Sequence, residues 1–506
     1  MGLYDYTFYD LISQNAESYK DQPAWYESRD NRKLSFSEYK CEVDRLAAGL
    51  QQSGIQKGDR IGVLAQNSLE YFILYGAAAA LGAIMLPINW RLSPEEVVFN
   101  LNDCEPVVLF VDPELHETIV GIQDQLPSVQ KIYNLSINQG PFESLEALIG
   151  SSAVLQPVDV CAADGLVIIH TAAVAGRPRG ALLSHANLLC ANLVLNNGLN
   201  MNAKDVHLNL LPLFHVGGLF MATSSFQVGI QNINMHKFDA DKAVELIEKC
   251  GVSLFFDFSP ILANILDAAK QTHHSLKSLR VVLGLDSPET IEAFQTQTDG
   301  LFFGLYGQTE TSCVATLAGY SEKPGSAGRP VPFARVQLLD DSDKPVALGE
   351  VGEIAVRGPL VFQGYWNLPE ETAETFRNGW HHTGDLGRLD ADGYLWYAGR
   401  KPEKELIKPG GENVYPAEVE RVVLEHPAVE LTAVIGVPDP KWKEGIKAVC
   451  QLKAGEKLMA EDLIAFVGER IARYKKPQYV AFVDEMPLTS GGEIDRQKVK
   501  ALYGQP

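Results

Sequence analysis

The sequence predicts an α/β protein with parallel sheets, followed by a smaller α+β unit. Three observations carry this prediction. Short apolar runs alternate with helical stretches: Arg60-Ile-Gly-Val-Leu-Ala65, Val107-Val-Leu-Phe-Val111, Leu166-Val-Ile-Ile169 and Leu279-Arg-Val-Val-Leu283 read as buried strands. Helices between such strands imply crossovers and parallel pairing. Past about Val331 the style changes to short strands and glycine turns, as in Gly349-Glu-Val-Gly-Glu-Ile-Ala-Val-Arg357 and Asp390-Ala-Asp-Gly-Tyr-Leu-Trp396. Finally, 506 residues exceed what one core usually supports, so at least two domains are expected. The boundary is expected after Gly399-Arg400, where Lys401-Pro-Glu-Lys-Glu405 is polar enough for a hinge. This gives domains 1–400 and 401–506. There is no internal repeat and no low-complexity tract.

Composition excludes several classes of function. The formal net charge is -21, which argues against nucleic acid or an anionic membrane as partner, since either needs a basic face. The seven cysteines are scattered without close pairs, so neither a disulfide framework nor a cysteine metal site is expected. The start, Met1-Gly-Leu-Tyr-Asp-Tyr-Thr7, lacks the basic flank and apolar core of a signal peptide. Tyr6 stands where a myristoylation signal needs Ser or Thr. A cytoplasmic protein is expected.

One run invites a membrane reading. Tyr71 to Ile88 is almost wholly apolar and near the length of a span. It is rich in Ala and Gly, contains Pro87, and is isolated. A helix buried on all sides within a large α/β domain is the better expectation, so no transmembrane segment is predicted.

Four further segments carry chemistry. After the Leu166–Ile169 strand comes His170-Thr-Ala-Ala-Val-Ala-Gly-Arg-Pro-Arg-Gly180. Its glycines Gly176 and Gly180 and cations Arg177 and Arg179 suit a phosphate loop, in which backbone N–H groups turn inward. Only Thr171 supplies a hydroxyl before Gly176. Leu305-Tyr306-Gly307-Gln308-Thr309-Glu310-Thr311 sets a hydroxyl beside a carboxylate after an apolar strand. Trp380-His-His-Thr-Gly-Asp385 places a carboxylate in a glycine turn, and Lys408-Pro-Gly-Gly-Glu-Asn-Val-Tyr-Pro416 runs from a glycine turn into a helix. A carboxylate accepts from ribose hydroxyls, arginine forks phosphate, and a Thr–Glu pair suits phosphate and a divalent ion.

In this order, together with Leu211-Pro-Leu-Phe-His215-Val-Gly-Gly218, these motifs resemble the adenylate-forming superfamily of acyl-CoA synthetases, peptide-synthetase adenylation domains and firefly luciferase. The resemblance covers almost the whole chain and looks closest to acyl-CoA synthetases. It implies two doubly wound sheets plus a small β-barrel, then a mobile C-terminal domain. It also implies the reaction: a carboxylic acid attacks Mg2+-bound ATP to give acyl-AMP, and CoA displaces AMP.

The resemblance carries roles onto particular residues. Asp385 would hold the ribose hydroxyls, and Arg400 would also contact the nucleotide. Thr309 would hold the α-phosphate and Glu310 would ligate Mg2+. Tyr306, with Gly307 and Gln308, would lie near the adenine, as would the loop of Asp286. Thr171, Gly176, Arg177, Arg179 and Gly180 would form the phosphate loop. His215 would sit between acyl pocket and pantetheine tunnel. Lys408, Gly410 and Gly411 would lie along the pantetheine arm, since glycine leaves no Cβ in the way. The acyl pocket would be lined from Leu219 to Ser225, Phe256 to Pro260 and Gly304-Leu305, without a basic residue for a second carboxylate. A monocarboxylic fatty or aromatic acid is therefore expected. A homodimer is admitted, not specified.

Departures from the family pattern are concentrated. The usual phosphate loop Thr-Ser-Gly-Thr-Thr-Gly-x-Pro-Lys-Gly aligns with Thr171 to Gly180, where three hydroxyls and a glycine are lost and the lysine is Arg179. The usual Thr-x-x-Gly-Lys-Ile-x-Arg aligns with Thr489 to Arg496, and its lysine is Glu493. Asp286 stands in a loop that usually reads Gly-Gly-Ala-Pro. The groups expected on ATP's outer phosphates and on the attacking carboxylate are altered, whereas those expected on AMP and CoA are retained. Beside a working synthetase, two alternatives stay open: an enzyme running mainly the acyl-AMP/CoA half-reaction, and a silent homologue that binds nucleotide or acyl-CoA.

Overall fold

The structure, a computed structural model, describes residues 2–136, 140–150, 153–171, 177–401, 406–412, 414–440, 442–489 and 494–506. The chain divides into two compact units. One comprises Met1–Trp90, Leu101–Ile169 and Gly180–Gly399; the other comprises Arg91–Asn100, His170–Arg179 and Arg400–Pro506.

The first sheet runs, in spatial order, Gly364–Tyr365, Arg179–Ser184, Gly165–Thr171, Ile84–Ile88, Arg60–Leu64, Val108–Val111, Lys131–Asn134 and Glu143–Ser144. The pairings from Gly165–Thr171 to Glu143–Ser144 are parallel, and the expected strands at Arg60, Val107 and Leu166 all lie here. The uncharged run after Tyr71 is not one helix. Helix Leu69–Leu81 stops at Gly82, whose φ of 65° supplies the left-handed cap, and strand Ile84–Ile88 follows. Every residue of that helix is buried, which explains its membrane-like composition. No helix among the described residues is long and apolar enough to cross a membrane.

The second sheet runs Arg329–Pro330, Thr316–Gly319, Leu301–Tyr306, Val281–Leu285, Leu254–Phe258, Val206–Asn209, Gln231–Asn234, Pro23–Glu27 and Lys33–Ser35. From Leu301–Tyr306 to Pro23–Glu27 the neighbours are parallel. Its core includes a block in which Trp25 stacks on Phe72 at 4.5 Å, with Tyr39 and Phe226 packed around Phe72. Past Val331 the expected short strands form an antiparallel sheet of Arg335–Leu339, Gly352–Arg357, Trp380–Leu389 and Phe376–Arg377, joined by Leu395–Arg400.

The other unit is built on a sheet of Val429–Asp439, Lys443–Leu452 and Tyr479–Val483, with one antiparallel and one parallel pairing. Helix Pro416–Leu424 buries Val419, Val422 and Val423 in a core shared with Val434, Ile446 and Leu463. Pro416 opens that helix, where a missing N–H costs nothing.

Candidate active site

Four neighbouring parallel strands of the second sheet end on the same edge: Val206–Asn209, Leu254–Phe258, Val281–Leu285 and Leu301–Tyr306. The chain after each carboxyl end carries His215, Ser259-Pro260, Asp286 and Gly307-Gln308-Thr309-Glu310 respectively. Open parallel sheets bind ligands outside the carboxyl ends of their strands. The topology thus collects sequence-distant candidates along one edge.

Asp385 is the centre of the polar cluster. It is 1% exposed. Tyr306 donates its hydroxyl to Oδ2 at 2.8 Å, and the Gln308 amide donates to the same oxygen. Tyr397 donates to Oδ1 at 3.3 Å. The rings of Tyr306 and Tyr397 lie 6.3 Å apart, inclined by 31°. Two aromatic rings beside a two-oxygen acceptor suit an aromatic base and a diol. Asp385 is not in a simple turn, as the glycine suggested. It lies within strand Trp380–Leu389, at a bulge: Glu353 opposes Leu386, but Ala355 opposes His382. Gly384 absorbs the bulge with φ 71°.

A buried acid fixes that bulge from behind. Glu353 accepts from the Gly384 N–H at 2.9 Å and lies 3.0 Å from His382 Nδ1. Arg377 also donates to it, at 3.3 Å. Sequence reading passed over Glu353, although a carboxylate amid the apolar Gly352–Arg357 strand is itself a signal, because lone buried acids need partners.

Thr309 and Glu310 open a single 3-10 turn, Thr309–Thr311, and are 9% and 7% exposed. The turn is closed by Thr311 Oγ1, which accepts from the Gln308 N–H at 2.9 Å. Ser312 and Cys313 follow with φ of 52° and 78°, reversing the chain. Tyr365 donates to Glu310 Oε1 at 2.8 Å. Mg2+ takes hard oxygen ligands, usually one or two carboxylates plus substrate phosphates. Glu310 offers such oxygens, so the residues fit that ion.

His215 caps helix Val216–Gln227, accepting at Nδ1 from the Gly217 N–H at 3.2 Å. Its ring meets Phe258 edge-on at 6.0 Å, and Phe258 lies 5.3 Å from Phe256. A Cβ on Gly217 would lie 3.4 Å from the Phe258 ring. Asp286 accepts the Ser287 N–H at 2.7 Å, just before helix Pro288–Thr298. Gly180 starts the buried part of strand Arg179–Ser184.

The other expected residues belong to the second unit. Thr171 ends its strand and donates to the Arg179 carbonyl at 3.4 Å. Arg177 lies 6.0 Å from the Phe99 ring centre. Arg400 donates to the Tyr415 hydroxyl at 3.0 Å. Lys408 donates its N–H to Glu444 at 2.8 Å. Gly410 has φ 59°, and a Cβ there would lie 2.9 Å from the Trp442 ring. Gly411 ends the 3-10 turn Pro409–Gly411. Gly176, Glu493 and the hinge residues 402–405 lie outside the described residues.

In this chain a buried carboxylate bonded by Tyr306, Gln308 and Tyr397 thus lies next to the Thr309–Glu310 turn, an arrangement whose donors and acceptors suit a nucleotide. The comparisons give its family. Residues 12–366 match the AMP-binding enzyme family and residues 418–493 match the AMP-binding enzyme C-terminal domain, so the chain belongs to the AMP-binding enzymes. Its relatives place it in their acid–CoA ligase branch. Indoleacetate–CoA ligase of Aromatoleum aromaticum is 36% identical over 94% of both chains. A fatty acyl CoA synthetase structure from Mycobacterium tuberculosis is 30% identical, with a TM-score of 0.74 over 98% of each chain. A double mutant of o-succinylbenzoate CoA synthetase from Bacillus subtilis, bound with its product analogue, is 26% identical, with a TM-score of 0.86 over 99% of this chain and 100% of that one.

Proposed function

We propose that the protein activates an aromatic monocarboxylic acid with ATP and transfers it to CoA. The observation that carries the chemistry is the Tyr306–Gln308–Asp385 cluster beside the Thr309-Glu310 turn on one sheet edge. In this reading Asp385 accepts the ribose hydroxyls, and Asp286 lies on the adenine side. Thr309 donates to the α-phosphate, Glu310 holds Mg2+, and Thr171, Gly176, Arg177, Arg179 and Gly180 cradle the outer phosphates. A carboxylate oxygen of the acid bonds to the α-phosphorus and pyrophosphate leaves. The CoA thiolate then bonds to the acyl carbon and AMP leaves. Arg400 serves the nucleotide, and Lys408, Gly410 and Gly411 serve the pantetheine arm from a C-terminal domain beginning after residue 400.

The aromatic preference is supported by the His215–Phe258–Phe256 ring series and by the side-chain-free Gly217 against Phe258. Aromatic rings favour an aromatic acyl group through edge-to-face and offset contacts. The relative named for indoleacetate agrees with it, whereas the one named for fatty acyl CoA does not. Steady-state release of AMP from ATP and CoA should be faster with indole-3-acetate or ferulate than with palmitate. The reverse order would move the reading to a fatty acid. Release with no carboxylate at all would reject the ligase.

The second reading, an enzyme fast mainly in the CoA half, is favoured by Ala172, Val174 and Ala175 in the phosphate loop and by Glu493. Losing one contact that strengthens in the transition state costs about 2–4 kcal/mol. Rapid thioester formation from supplied acyl-AMP, with slow pyrophosphate release from ATP, would select it.

A further inference from the structure

Residues Pro359 to Trp366 form a strap tied along both sides. On one side, Asn187 Nδ2 donates to the carbonyls of Pro359 and Val361 at 2.8 and 2.9 Å. Gly364 and Tyr365 pair with Leu182 and Ala181, and the Trp366 N–H donates to the Gly180 carbonyl at 2.7 Å. On the other side, Ser312 donates to the Leu360 carbonyl at 2.6 Å, and the Phe362 N–H donates to the Glu310 carbonyl at 2.9 Å. The strap therefore joins the strand leaving the phosphate loop to the Thr309-Glu310 turn. Tyr365 spans both: its backbone lies in the strand pair, and its hydroxyl donates to Glu310 Oε1 at 2.8 Å.

That side chain has little freedom. Tyr365 is 6% exposed, and Phe362 packs edge-on against its ring at 4.8 Å. Its N–H donates to Thr372 Oγ1 at 2.9 Å. Glu310, 7% exposed, thus has one carboxylate oxygen fixed by a rigid donor whose backbone is registered to the phosphate-loop strand. Hydrogen-bond partners of ligating carboxylates orient the ligand and commonly control metal affinity by 10- to 100-fold.

We infer that Tyr365 is a positioning residue: it aims the Glu310 carboxylate at the metal of Mg·ATP and ties it to the strand at Ala181–Leu182. The inference rests on the reading of Glu310 as the metal-binding carboxylate. The test uses the full chain with Mn2+ and α,β-methylene-ATP, which cannot release pyrophosphate. Mn2+ binding is read by electron paramagnetic resonance for the parent, Tyr365→Phe and Glu310→Gln. Tyr365→Phe keeps the ring, so it should weaken Mn2+ binding about tenfold or more. Its melting temperature, metal-free AMP affinity and rate of thioester formation from supplied acyl-AMP should match the parent. If Glu310→Gln weakens Mn2+ binding and Tyr365→Phe does not, the role of Tyr365 is overturned and that of Glu310 stands. If Glu310→Gln leaves Mn2+ binding at the parent level, the reading of Glu310 falls and this inference falls with it. A Tyr365→Phe protein that loses AMP and Mn2+ affinity in parallel would make Tyr365 a packing residue and overturn the inference.

Discussion

A Cβ added to Gly307 would lie 2.0 Å from the carbonyl oxygen of Cys313. The two segments close the loop that carries Thr309 and Glu310, and the Cys313 N–H donates to the Gln308 carbonyl at 3.0 Å. Backbone cannot rotate away as a side chain can. Gly307→Ala should therefore displace the turn, lowering adenylation at least tenfold while strand Leu301–Tyr306 persists. Single-turnover pyrophosphate release and a circular dichroism melt separate these effects.

Asp385→Ala should abolish AMP binding by calorimetry. A carboxylate serving only the bulge would instead cost some stability and leave AMP affinity intact. Tyr397→Phe removes a longer bond at 3.3 Å and should weaken AMP less than Asp385→Ala does.

Glu353→Ala leaves His382 and Arg377 without their shared buried acid. Asp343 still holds Arg377, so the main loss is at the buried Gly384 N–H and His382, and a buried donor left without its acceptor costs about 1–3 kcal/mol. Urea unfolding should show a loss on this scale. Glu353→Gln should lose less, because its amide oxygen still accepts the Gly384 N–H. Equal, small losses in both variants would remove Glu353 from its supporting role.

Two buried histidines set an acid limit on stability. Burial pushes His185 and His207 down to about 4, and Asp164 and Asp10 only partly oppose this at His185. Their folded-state values lie below the unfolded one. Their contribution is therefore complete above pH 6.5 and is lost as pH falls towards 4. Each step is worth up to about 3 kcal/mol. Glu27 acts in the opposite sense, since burial raises its carboxyl. Denaturant midpoints should drop between pH 7 and 5, and His207→Gln should flatten that slope. An unchanged slope would assign the acid sensitivity elsewhere.

Glu493→Lys should raise the rate of acyl-AMP formation from ATP and hardly alter thioester formation from supplied acyl-AMP. Restoring the loop hydroxyls as well should exceed the sum, because both sets of groups act on one transition state. A fast parent enzyme indifferent to Glu493→Lys would end this explanation of the departures.

The sequence by itself determined the α/β class, the strands at Arg60, Val107, Leu166 and Leu279, and the family. These rest on local apolar runs and on motifs contiguous in the chain. It did not divide the Tyr71–Ile88 run into helix and strand, because both are buried on all sides and share one composition, and only Gly82 marks the break. Nor did it reveal that Tyr306, Gln308 and Tyr397 converge on Asp385, or that Tyr365 grips Glu310 across 55 residues of sequence. Those contacts arise from the order of strands in the sheets and from one bulge. Pairing order and register depend on all the strands at once, so only the tertiary structure decides which distant side chains meet.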